Sequence, residues 1–70
     1  MARLEVNVNG SPRTIDRELL TVADLVRELH LEGKRIAVER NGEIVPRSHY
    51  AQTAIASGDR LEIVGAVGGG

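Results

Sequence analysis

Leu4, Val6 and Val8 alternate with Arg3, Glu5 and Asn7, the two-residue period of a strand with one buried face. Asn9-Gly10 follows at once, and both residues tolerate the positive φ of a tight hairpin turn. A second short strand is expected from Pro12 to Ile15, with Pro12 at its start or edge because it has no N–H to donate. The period then changes. Val22, Leu25, Val26 and Leu29 form one apolar stripe of a helix, with Thr21 as N-cap and Asp24 completing a capping box. Leu20 can staple to Leu25, and Gly33 is expected to close the helix with His30 in or near its last turn. Ile36-Ala37-Val38 reads as a third strand, though three apolar residues in a row do not say which face inward. Asn41-Gly42 is a second tight turn, Glu43–Val45 a short fourth strand stopped by Pro46, and Ser48 can cap a single turn through His49–Gln52. After the Ser57-Gly58-Asp59 turn, Leu61 and Ile63 alternate with Arg60 and Glu62 in a final strand ending at Val64.

This order predicts an α+β domain: a mixed sheet of four to five strands, covered on one face by one helix. The first and last strands should lie adjacent and parallel at its centre. That is the β-grasp, or ubiquitin-like, architecture, with residues 1–64 as the domain and 65–70 as a flexible glycine tail.

Size and composition narrow the chemistry. Seventy residues allow one domain, near the lower limit for a core without staples, and the chain has no Cys for a disulfide. Nine basic and ten acidic residues without a run of either sign, and one aromatic residue (Tyr50), argue against nucleic-acid binding. No apolar stretch reaches membrane-spanning length and no signal peptide is evident, so a cytoplasmic location is expected. His30 and His49 have no nucleophile or carboxylate arranged around them by any motif, and no metal-ligand spacing occurs. Tyr50 reads as a packing residue. The chain is expected to bind no metal or cofactor and not to act as an enzyme.

What remains is the end of the chain, Gly68-Gly69-Gly70. Residues without Cβ can thread a narrow channel in extended form, and a terminal carboxylate on Gly70 would be sterically open to activation. Activation most simply means attack on the α-phosphate of ATP, giving an acyl-adenylate that a nucleophile then opens. Gly68 and Gly69 would be the spacer. Arg60, Glu62 and Val64 should point to the open face of the sheet beside Arg3 and Glu5, and with Val67 they form a candidate docking surface for a partner.

The run Ile36-Ala37-Val38-Glu39-Arg40-Asn41-Gly42-Glu43-Ile44-Val45-Pro46-Arg47-Ser48, the Gly58-Asp59 turn and the Val67–Gly70 end resemble the ThiS family of sulfur carriers in thiamin biosynthesis. Val8-Asn9-Gly10 and Leu20–Leu25 are similar as well, so the resemblance spans essentially the whole chain. It implies that a ThiF-type adenylyltransferase, using ATP and magnesium held on that enzyme, adenylates Gly70. A sulfur donor, ultimately a cysteine desulfurase persulfide, then makes a thiocarboxylate that supplies thiazole synthase, ThiG. The alternatives are another β-grasp sulfur carrier, for molybdopterin, tRNA thiolation or cysteine synthesis, or a ubiquitin-like protein modifier.

Overall fold

A computed structural model describes residues 3–65. Along the chain lie β1 (Leu4–Val8), β2 (Ser11–Ile15), α1 (Val22–Glu28), β3 (Ile36–Arg40), β4 (Glu43–Val45), a single 3-10 turn (Arg47–His49) and β5 (Arg60–Gly65). The five strands form one sheet in the order β2-β1-β5-β3-β4. β1 and β5 are parallel neighbours in the middle, and every other pairing is antiparallel. This is the expected α+β architecture, a β-grasp with α1 covering one face.

Both Asn-Gly pairs make two-residue hairpin turns in which all four residues have positive φ: 53° and 84° at Asn9-Gly10, 53° and 89° at Asn41-Gly42. That geometry matches the right-handed twist of the flanking strands. Pro12 sits on the edge strand β2, where its missing N–H disrupts no interior ladder.

Helix α1 is only seven residues long, so its stability comes from its ends and its buried face. At the N-terminus the capping box is complete. Thr21 Oγ1 accepts from the Asp24 N–H at 3.1 Å, and Asp24 Oδ2 accepts from the Thr21 N–H at 3.0 Å. Val22, Leu25 and Val26 face the sheet and join Val6, Val38, Leu61 and Ile63 in the core, with Leu20 and Ile55 closing it from the loops. Tyr50 packs partly buried against this cluster, as a packing residue should.

The far end of the helix corrects the expectation placed on Gly33. The helix closes at His30, which takes up the left-handed conformation (φ 59°) directly after the cap residue Leu29. The His30 N–H donates to the Arg27 carbonyl at 3.0 Å and the Leu31 N–H to that of Val26 at 2.9 Å. Together these make a Schellman motif with histidine where glycine is usual. Gly33, also at positive φ, shapes the loop beyond. A second correction concerns Ser48: the single turn starts after Pro46, with Ser48 inside it and no side-chain cap.

The third strand is longer than its apolar triplet. Val38 faces the core, opposite Ile63 and Val45, whereas Ala37 and Glu39 turn to the open face. The last strand takes in Gly65, which pairs with Ile36.

Candidate functional site

The strand that leads toward the tail lies in the interior of the sheet. β5 has β1 on one side and β3 on the other, and Leu61 is fully buried. The two hairpin turns add side-chain clasps to this backbone ladder. Asn9 Oδ1 accepts from the Ile63 N–H at 2.7 Å, and Asn9 Nδ2 donates to the Ile63 carbonyl at 2.9 Å. The carboxamide thus continues the β1 ladder past the point where the β1 backbone turns away. Asn41 does the same at the start of the strand, its Oδ1 accepting from the Arg60 N–H at 2.9 Å.

Asp59 is the hub of that second clasp. It is buried beside the first residue of β5, where its Oδ2 accepts from Arg40 Nε and the Ala56 N–H, both at 2.8 Å, and its Oδ1 from Asn41 Nδ2 at 3.0 Å. Burial by itself would push this carboxyl up. The Ala56 N–H, the Asn41 amide and the Arg40 guanidinium outweigh that and hold it below the ordinary aspartate value. Asp59 therefore serves as a charged fastener. The sequence marked it only as a turn residue: the Ala56 N–H is a local turn partner, whereas Arg40 and Asn41 come from β3 and the turn after it and are distant along the chain.

Of the residues singled out from the sequence, Arg60, Glu62 and Val64 lie on β5 and are exposed; the strand alternation with buried Leu61 and Ile63 puts all three on the open face. Arg60 is at the far end of the strand from the tail. Val67, Gly68, Gly69 and Gly70 lie outside the described residues. Register adds residues from two other strands to this face: Ala37 opposite Val64, Glu39 opposite Glu62, and Ile44 opposite Glu39. Ile44 and Val64 are large apolar side chains left 69% and 57% exposed. His30 and His49 lie in separate turns, and among the described residues no three His, Asp or Glu side chains are grouped to hold a metal ion. No helix among them is long and apolar enough to cross a membrane.

A mixed five-stranded sheet with a parallel pair at its centre and one helix across one face defines a ubiquitin-like β-grasp domain. The family model described as the ThiS family matches residues 6–70. The chain is 35% identical to the sulfur carrier protein ThiS of Bacillus subtilis over 65 residues, covering 93% of this chain and 98% of that protein. A crystal structure of the thiamine biosynthesis protein ThiS from Geobacter metallireducens superposes with a TM-score of 0.84 at 35% identity, covering 96% of this chain and all of that one. The chain belongs to the ThiS family, the sulfur carriers of thiamin biosynthesis. It is also 46% identical over 67 residues to a thiazole synthase of Paramagnetospirillum magneticum, but spans only 20% of that protein's length.

Proposed function

We propose that Gly70 is the working C-terminus of this carrier and that it cycles between carboxylate, acyl-adenylate and thiocarboxylate in the cytoplasm. The observation that carries this reading is the match to the ThiS family through residue 70, on a domain whose central strand runs toward that residue. A ThiF-type adenylyltransferase binds ATP and magnesium as its own substrates. A Gly70 carboxylate oxygen attacks the α-phosphate, the bond to the β,γ-phosphates breaks, and pyrophosphate leaves. The terminal sulfur of a persulfide, generated by a cysteine desulfurase, then attacks the activated carbonyl and AMP departs. A second thiol cleaves the resulting acyl disulfide and leaves the thiocarboxylate on Gly70.

Glycine at 69 and 70 lets the backbone approach the enzyme closely and leaves the carbonyl carbon open from both faces. The carrier itself contributes position rather than catalysis, acting as co-substrate of the adenylating enzyme. The lack of any Cys in the chain suits this role, because no internal thiol competes for the activated acyl group. Thiazole synthase, ThiG, is the acceptor. The similarity to the Paramagnetospirillum synthase supports that link, since there a stretch like this one shares a chain bearing that name.

ATP–pyrophosphate exchange tests the first step. Adding the carrier to a ThiF-type enzyme, ATP and labelled pyrophosphate should give exchange that depends on both proteins. Exchange that is the same with and without the carrier would refute the reading.

A further inference from the structure

The two Asn-Gly turns carry a reactive pair of groups as well as a shape. In such a pair the glycine nitrogen, with no Cβ beside it, can attack the carboxamide carbon of the asparagine. A bond forms from that nitrogen to Cγ and closes a succinimide ring. The Cγ–Nδ2 bond breaks, and Nδ2 leaves as ammonia with the proton that the glycine nitrogen gives up. Water then opens the ring at either carbonyl, leaving aspartate or isoaspartate. The sequence is redox-neutral and consumes only water.

Both turns are tied down in a way that opposes this. The Asn9 carboxamide is held by the Ile63 N–H and carbonyl, and that of Asn41 by the Arg60 N–H at 2.9 Å and Asp59 Oδ1 at 3.0 Å. The asparagine backbones are held as well, Asn9 N–H donating to the Leu61 carbonyl at 2.9 Å and Asn41 N–H to that of Arg60 at 2.8 Å. A carboxamide fixed to the neighbouring strand cannot swing back onto its own chain, so the reaction waits for the clasp to open.

The two sites differ at the attacking nitrogen. The Gly10 N–H donates to Asn7 Oδ1 at 2.9 Å, which holds both its proton and its orientation. Among the described residues nothing accepts from the Gly42 N–H. The strands beyond the turns differ too. Asn41-Gly42 leads into β4, an edge strand of three residues, whereas β2 at the other edge has five. The bond from the Arg60 N–H to Asn41 is exposed, while both side-chain bonds of Asn9 are partly buried.

We propose that Asn41 is a site of spontaneous deamidation, converting well before Asn9, and that its conversion unfastens the start of β5. Aspartate at this position replaces the Nδ2 donor by an oxygen and sets a second carboxylate against Asp59 Oδ1. Asp59 is buried, so water screens that repulsion poorly. Isoaspartate lengthens the backbone by a carbon atom, which a two-residue turn cannot absorb. The proposal stands on the clasps alone and is independent of the reading of Gly70.

Ageing the purified carrier in mildly alkaline buffer, native and in concentrated urea, tests it, with peptide mapping that separates asparagine, aspartate and isoaspartate. In the native chain Asn41 should convert about five- to ten-fold faster than Asn9, the factor that one further hydrogen bond supplies. In urea, with both clasps gone, the two sites should convert within about two-fold of each other and faster than either does in the native chain. Native conversion of Asn9 at the rate of Asn41 or above would overturn the assignment, as would an Asn41 left intact while urea converts both. A native Asn41 rate equal to that in urea would overturn the gating by the clasp. Asn41→Asp should melt several degrees below Asn41→Gly, which keeps the turn and removes the carboxamide without adding charge. Equal melting of the two variants would overturn the unfastening of β5.

Discussion

Deleting Gly70 should abolish adenylation and leave the melting temperature where it was. The two halves of this result have different origins. Stability resides in the β-grasp, whose last described pairing is Gly65 with Ile36, and in the core of Val6, Val22, Leu25, Val38, Leu61 and Ile63. Removing a glycine five residues further on takes no apolar side chain out of that core. Activation depends instead on where a carboxylate ends up. Shortening the chain by one residue withdraws it by about 3.5 Å, and misplacements near 1 Å can already cost about a hundred-fold in rate. A loss in kcat/KM of at least that size is expected in the exchange assay. Near-parental exchange would show that Gly70 is not the reacting residue, and a fall of several degrees in melting temperature would show that the end of the chain contributes to the fold.

The second large effect lies at the other end of the same machinery. Leu61→Ala should cost about 3–4 kcal/mol, because Leu61 is fully buried in the central strand, flanked by β1 and β3, and no neighbour can collapse into the vacated space cheaply. A domain of this length has a total stability on the order of 5 kcal/mol, so the variant should keep only about 1–2 kcal/mol and have roughly a tenth of its molecules unfolded at 25 °C, against well under about a tenth of a percent in the parent. Urea titration followed by circular dichroism measures this: the midpoint should drop steeply with the slope unchanged. Ile44→Ala, by contrast, trims a side chain that is mostly in water and should shift the midpoint hardly at all. Comparable losses in the two variants would mean that the sheet face described as open is packed.

The element order was readable in the sequence because short-range signals agreed with one another. Leu4-Val6-Val8 and Leu61-Ile63 show the strand period, Val22-Leu25-Val26 the helical one, and two Asn-Gly pairs mark the hairpins. What escaped was decided by partners distant along the chain. Asn9 and Asn41 looked like turn formers; that their carboxamides also clasp β5 follows from β5 lying beside both turns. Asp59 looked like a turn residue, and its burial depends on Arg40 and Asn41 converging on it. The helix end was misplaced for a local reason. Glycine at 33 is the usual stop, but Leu31 reaches its bond to Val26 only if the chain reverses at 30, so histidine adopts the left-handed conformation there. Of the candidate site, Gly70 and its spacer came from the family resemblance and the chemistry of glycine. The open face came through only in part, since no reading of β5 alone can show that Glu39 and Ile44 stand next to Glu62.

The central claim is that sulfur rides on Gly70. Intact-protein mass spectrometry of the carrier, purified from cells starved of thiamin, measures it directly. A population heavier by the difference between one sulfur and one oxygen, with the change confined to the C-terminal peptide, is the predicted result. A carrier found only as the carboxylate under those conditions, or only as a ladder of conjugates to other proteins, would contradict it.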